Sequence, residues 1–86
     1  TVTRNGVPIT LTAKEFSLLE YLVRRNGRIA SRHEIVENVW DVNFDTGTNV
    51  VDVYINFLRK KIDRNFEPKL IHTKQGMGYY LTVLPV

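Results

Sequence analysis

The sequence predicts a small α+β domain in which a β-hairpin, three helices and a second β-hairpin follow one another. Three observations predict it. Asn5-Gly6 lies between two short β-prone runs, and two Ser/Thr-x-x-Glu strings each open an amphipathic stretch. Near the end, Gly76-Met77-Gly78 separates two runs rich in β-branched and aromatic residues. At 86 residues, 43% hydrophobic and 10% aromatic, the chain is long enough for one core and too short for two, so residues 1–86 are expected to form a single domain.

The first element spans Val2 to Leu11. Asn-Gly accepts the positive φ angles of a two-residue turn, and Pro8, which cannot donate a ladder hydrogen bond, belongs at a strand edge. Thr12-Ala13-Lys14-Glu15 fits a capping box and starts a helix from Ala13 to Arg25, with Phe16, Leu19, Leu22 and Val23 expected on the buried face and Asn26-Gly27 ending it. Ser31-Arg32-His33-Glu34 is a second capping box. It starts a helix to about Trp40, with Ile35 and Val39 expected inward. Asp41 to Thr48 reads as a polar loop holding one aromatic, Phe44.

A third helix is expected from about Asn49 to Arg64, because Val51, Ile55, Leu58 and Ile62 recur at helical spacing. Pro68 stops any continuation. Leu70–Thr73 and Tyr79–Val83 read as two strands around the tip Lys74–Gly78. Such an order of elements is that of a winged helix-turn-helix, whose third helix is presented to DNA and whose last hairpin is the wing. The first hairpin is then the remnant of a small antiparallel sheet.

Charge agrees with this arrangement. The formal net charge is +3, and residues 1–48 hold as many acids as bases. The whole excess lies in residues 49–86, where Arg59, Lys60, Lys61, Arg64, Lys69 and Lys74 face only Asp52, Asp63 and Glu67. With no cysteine, disulfides and thiolate metal sites are excluded, and a reducing cytoplasm is the expected compartment. No apolar run is long enough to span a bilayer, and Thr1–Arg4 lacks the apolar stretch of a signal peptide.

Stepping ~100° per residue along the third helix, the side opposite the buried stripe carries Asn49, Val53, Asn56, Phe57, Lys60 and Arg64, with Arg59 beside Asp52 on one flank and Lys61 on the other. A merely solvated face favours Lys, Glu and Gln. Two amides, two bases, no acid and two surplus apolar side chains suit a major groove instead. Asn bonds base edges in a bidentate way, Val and Phe touch thymine methyls, and Lys and Arg anchor to phosphate. The alternative is that Val53 and Phe57 pack against the hairpins while the polar residues are solvated. In the wing, Gly76 and Gly78 allow close approach of backbone to a minor groove, and Lys74 and Gln75 supply a charge and an amide. Thr73, Tyr79 and Tyr80 carry hydroxyls that can reach phosphate, although one tyrosine of the adjacent pair is expected to face the core.

Catalysis finds little support. His33 and His72 lie in different halves of the chain without metal-ligand spacing, Ser17 and Ser31 have helix-interior and N-cap explanations, and Gly76-Met77-Gly78 lacks the strand-to-helix context of a phosphate loop. No metal or other cofactor is expected. Double-stranded RNA fits poorly, since its narrow major groove does not admit a helix. A winged helix used only for protein contact is the remaining alternative.

Leu11-Thr12-Ala13-Lys14-Glu15-Phe16-Ser17-Leu18-Leu19 resembles the opening L-T-x-x-E-F-x-L-L string of OmpR/PhoB effector domains. Asn49–Ile55 with Leu58–Ile62 is similar to that family's recognition helix, and Ile71-His72-Thr73 leading to Gly76-Met77-Gly78-Tyr79 resembles its wing. Trp40–Asp45 followed by Lys69–Thr73 looks most like the copper/silver-type heavy-metal branch.

The resemblance implies that the chain is the DNA-binding output domain of a bacterial two-component response regulator, with its receiver domain, the target of a cognate histidine kinase, absent here. It implies head-to-tail homodimers on tandem direct repeats of double-stranded DNA, the third helix in the major groove and residues 73–79 at the minor groove. It also implies that Asp41, Asn43, Phe44 and Asp45 lie in a loop contacting RNA polymerase holoenzyme. Carried over by position, Asn49, Val53, Asn56 and Phe57 face the groove, Arg59 and Lys60 anchor phosphates, and Thr73 and Tyr79 contact the backbone; Arg64 from the helix face and Lys74 and Gln75 from the wing complete the expected DNA-binding set. The chain departs from the family at Gln75, where an arginine is usual, and at Asn56 and Phe57, which are often arginines.

Overall fold

The computed structural model describes residues 2–40 and 49–82. Strands β1 (Val2–Arg4) and β2 (Val7–Ile9) pair antiparallel, with Arg4 opposite Val7. Asn5 and Gly6 between them take φ of 52° and 80°, the positive pair that a two-residue turn matched to strand twist requires. Helices α1 (Ala13–Arg24), α2 (Arg32–Val39) and α3 (Asn49–Leu58) follow. One π turn, Arg59–Asp63, continues α3, its end marked by the Arg64 N–H donating to the Arg59 carbonyl at 2.8 Å. Strands β3 (Ile71–Lys74) and β4 (Gly78–Leu81) close the order as an antiparallel hairpin.

Both capping boxes form. The Glu15 N–H donates to Thr12 Oγ1 at 3.2 Å while the Thr12 N–H donates to Glu15 Oε1 at 2.9 Å. Ser31 and Glu34 repeat the exchange at 3.0 Å in both directions. Each pair satisfies two of the four amides that a helix start leaves without partners, worth about 1 kcal/mol per cap.

Leu18, Leu22, Ile35, Val51, Ile55 and Leu58 are fully buried where α1, α2 and α3 meet. Transferring each from water contributes about 1.5–3 kcal/mol. Ile62, Ile71 and Tyr79 extend this core beneath the second hairpin. That hairpin is fastened by a single bridge to the segment entering α2: the Ala30 N–H donates to the Tyr79 carbonyl at 2.8 Å and the Tyr79 N–H to the Ala30 carbonyl at 3.0 Å.

Three expectations from periodicity are corrected. On α1 the inward side is Glu15, Leu18 and Leu22; Phe16 and Val23 are 44% and 55% exposed, and Leu19 is half-buried. The stripes 15/18/22 and 16/19/23 lie one residue apart; α1 buries the first, and Glu15 within it ion-pairs with Lys61 of the π turn at 2.6 Å. On α2 the inward residues are Ile35 and Val36, with Val39 half-buried. On the second hairpin Lys74 and Gly78 are paired strand residues, so the tip is only Gln75-Gly76-Met77.

Candidate nucleic-acid interface

Among the described residues nothing covers the outward side of α3 and its π turn. Asn49, Val53, Asn56, Phe57, Lys60 and Arg64 are all exposed, Val53 at 47% and Phe57 at 41%. Neither hairpin lies over them, so Val53 and Phe57 are not packed against the hairpins; the Phe57 ring meets Tyr54 instead. The face forms because Val51, Ile55, Leu58 and Ile62 consume the opposite side. Two of the three flanking charges are neutralised, Asp52 by Arg32 at 2.8 Å and Lys61 by Glu15.

Beside it, an open cleft of about 760 Å³ separates the end of this helix from β3. Asn56, Arg59, Lys60, Asp63 and Arg64 of the helix and its π turn line it together with Lys69, Ile71, His72 and Thr73. Lys69 is partly committed to capping, since its ammonium donates to the Asp63 and Phe66 carbonyls at 2.6 and 3.0 Å. Lys60 and Arg64 keep exposed side chains at the cleft mouth. On the wing, Thr73, Lys74 and Gln75 are exposed, and the Met77 N–H closes the tip on the Lys74 carbonyl at 2.9 Å.

Two expected contact residues are instead parts of the frame. Tyr79 is only 5% exposed, and its hydroxyl donates to Asp52, so it is not free to reach a phosphate. Burial, then the bond to Asp52, raises its pKa above the ordinary 10.0. Tyr80, half-buried, stacks at a tilt on His72 with centroids 5.1 Å apart. Arg59 is half-buried and donates to Thr73 Oγ1 at 2.7 Å, with its guanidinium 5.6 Å from the Tyr79 ring centroid. It braces helix against wing. Thr73 accepts that bond and keeps its own hydroxyl proton for a further partner.

Sequence reasoning missed the centre of this frame, Asp52. Arg32 reaches it from α2 and Tyr79 from β4, while the Arg32 guanidinium also lies 5.5 Å from the Tyr79 ring centroid. A single carboxylate thus fixes α3 to both neighbours. Its spacing to those partners, 20 and 27 residues, leaves no local signal. Asp41, Asn43, Phe44 and Asp45 lie outside the described residues.

Residues 6–81 match the family described as transcriptional regulatory protein, C terminal. The chain belongs to it. It is an effector domain of OmpR/PhoB type. Transcriptional regulatory protein CusR of Escherichia coli K12 is 55% identical over 82 residues, 95% of this chain and 36% of that protein. Transcriptional activator protein IrlR of Burkholderia pseudomallei is 58% identical over 81 residues, 94% of this chain and 35% of that protein. The effector domain therefore spans little more than a third of these curated relatives. Among solved structures, the OmpR/PhoB homologue DrrB of Thermotoga maritima superposes with a TM-score of 0.78 at 33% identity, covering 90% of this chain and 35% of that one. The DNA-binding domain of Klebsiella pneumoniae RstA in complex with the RstA box gives a TM-score of 0.78 at 32% identity, covering 92% and 79%.

The frame of this effector domain carries a pH signature. Burial raises the Glu15 carboxyl, but the bonds from Lys61 and Thr12 outweigh it and hold the pKa below the ordinary 4.5. Asp52 is likewise raised by burial and more strongly lowered by Tyr79 and Arg32, below 3.8. Acids depressed in the folded state add stability that is present above their unfolded values and lost as pH falls through the folded ones. Urea midpoints are therefore expected to hold near neutrality and to fall as pH drops through the acid range below the ordinary carboxylate values. Glu15→Gln should lower the neutral plateau and flatten that acid limb. An unchanged limb would show that Glu15 is not one of its sources.

Proposed function

We propose that this effector domain binds double-stranded DNA sequence-specifically, as the transcription-regulating output domain of a bacterial two-component response regulator. The observation that carries the reading is the uncovered acid-free face from Asn49 to Arg64, lying beside a basic cleft and a hairpin tip. The helix enters the major groove, where Asn49, Asn56, Val53 and Phe57 meet base edges. Lys60 and Arg64 hold phosphates and set register. The wing follows the backbone at the minor groove through Thr73, Lys74 and Gln75, with Lys74 supplying the charge that Gln75 lacks. RstA, solved on its box, supports this mode by its likeness in fold and sequence.

Further partners rest on the family resemblance. They are a second copy bound head to tail on a tandem direct repeat, RNA polymerase holoenzyme at residues 41–45, and a histidine kinase acting through a receiver domain. The proposed compartment is the cytoplasm; no helix among the described residues is long and apolar enough to cross a membrane. Placement in the copper/silver-type branch rests on the strings 40–45 and 69–73 together with the 55% identity to CusR. It concerns the signal received upstream. Among the described residues no group of three or more His, Cys, Asp or Glu is placed to hold a metal ion.

Selection of duplexes from a random pool tests the reading. A tandem direct repeat with half-sites about one helical turn apart is expected. Binding should weaken with salt, and Lys60→Ala and Arg64→Ala should each flatten the log–log salt slope by about 0.9 without altering the selected sequence. Asn56→Ala should cost about 1–3 kcal/mol at one base position and relax the preference there. A pool that yields no enriched duplex, or binding indifferent to salt, sinks the proposal.

A further inference from the structure

The reading helix carries more aromatic surface than its core stripe requires. Phe57, 41% exposed on the outward face, meets the ring of Tyr54 edge to face, with centroids 5.4 Å apart and planes at 72°. Tyr54 meets Trp40 in the same way, at 5.2 Å and 69°. Trp40 is anchored in turn: its backbone N–H donates to the Val36 carbonyl at 3.0 Å where α2 ends. The Lys14 ammonium lies 5.5 Å from its ring centroid and donates to the Val39 carbonyl at 2.9 Å. Each contact has the geometry that the aromatic quadrupole favours. The result is a ladder from the rigid part of the scaffold to the middle of the exposed face.

A phenylalanine alone on a helix surface exchanges rotamers freely, and a mobile ring loses entropy when a partner immobilises it. Tyr54 stands three residues before Phe57, on the side toward which helical side chains lean. It therefore restricts the ring before any partner arrives. Neither Phe57 nor its neighbour Val53, four residues earlier and 47% exposed, has a polar side-chain atom. Pressed onto guanine or cytosine, these side chains would strip water from donors and acceptors without replacing the bonds. Thymine alone among the four bases offers an apolar group, its 5-methyl, in the major groove.

We infer that Tyr54, braced by Trp40, is a positioning residue that holds the Phe57 ring for contact with thymine methyl groups. The inference rests on the major-groove reading of this helix and adds to it a reason why an apolar ring stands at position 57. The part of the face around residue 57 reads a methyl by shape, while Lys60 beside it holds the strand.

The test begins with the duplex selected from the random pool. Its thymines are replaced one at a time by deoxyuridine, which removes the methyl and leaves pairing intact. At one or two positions per half-site the affinity of the unsubstituted chain should fall about three- to fourfold, the size of one buried carbon group. Phe57→Ala should abolish that discrimination. Tyr54→Ala and the bulk-conserving Tyr54→Leu should both reduce it toward unity with the salt slope unchanged, whereas Tyr54→Phe should retain it. Urea unfolding of each variant confirms that the fold persists. Undiminished discrimination in Tyr54→Leu overturns the positioning role, and discrimination that survives Phe57→Ala, or no uracil-sensitive position, overturns the methyl contact. Failure of the unsubstituted chain to bind any duplex is a separate result, which removes the DNA reading itself and this inference with it.

Discussion

Gly78→Ala is expected to destabilise the domain by about 3–5 kcal/mol, most of what an 86-residue domain typically holds in reserve. A Cβ at this position would sit 2.1 Å from the Ala30 carbonyl oxygen, 2.8 Å from its carbon and 2.9 Å from Ser31 Cα. All three are backbone atoms, so no rotamer change relieves the contact. The φ of +145° adds strain for any L side chain. Moving Ala30 away breaks its two hydrogen bonds to Tyr79, and those bonds set the wing against α2. Moving β4 instead pulls the Tyr79 hydroxyl from Asp52 and loosens the reading helix. Gly76→Ala is the control: it shares a positive φ of +75° but meets nothing within 4 Å, so about 1 kcal/mol is expected. Urea unfolding of the two variants separates conformational strain from steric exclusion. A Gly78→Ala domain within about 1 kcal/mol of the parent would show that the bridge yields easily.

The contrast between these glycines illustrates what the sequence disclosed. Features decided within four residues were legible: the Asn5-Gly6 turn, both capping boxes and the stripe from Val51 to Ile62. The outward face of α3 was legible too, because none of the described residues covers it. Long-range pairings were not. Glu15 reads as a polar cap residue, and beyond its bond from Thr12 it is Lys61, 46 positions later, that compensates its burial, while Phe16 and Val23 lie at the surface. Strand alternation requires that one of Tyr79 and Tyr80 point inward but does not say which; the bridge to Ala30 and the carboxylate of Asp52 decide for Tyr79. Arg59 looks like its neighbour Lys60 in sequence. Thr73 and the Tyr79 ring draw it into the frame, which leaves Lys60 and Arg64 as the free cations of the face among the described residues. The π turn has no periodic signature short enough to detect in five residues.

Asp63, at the end of that π turn, carries the second large effect. It is 4% exposed, and its two carboxylate oxygens accept the Leu70 and Ile71 N–H groups, each at 3.0 Å. These amides begin β3, so the carboxylate joins the end of the reading helix directly to the start of the wing. Arg4 approaches from the first hairpin, with its guanidinium 3.9 Å from Asp63 and its Nε donating to the Ile62 carbonyl at 2.7 Å. Asp63→Ala should cost about 3–5 kcal/mol, because it strands two amides and leaves a largely buried guanidinium without its counter-charge. Asp63→Asn should recover only part of this, since its amide group accepts through one oxygen and presents N–H to the other donor. In a duplex titration at a temperature where both variants remain folded, wing and helix should no longer be held at a fixed separation. Affinity should then fall while the bases preferred by Asn56 stay the same. If Asp63→Asn matched the parent in both stability and affinity, the tie between helix and wing would have to lie in Arg59 and Asp52 alone.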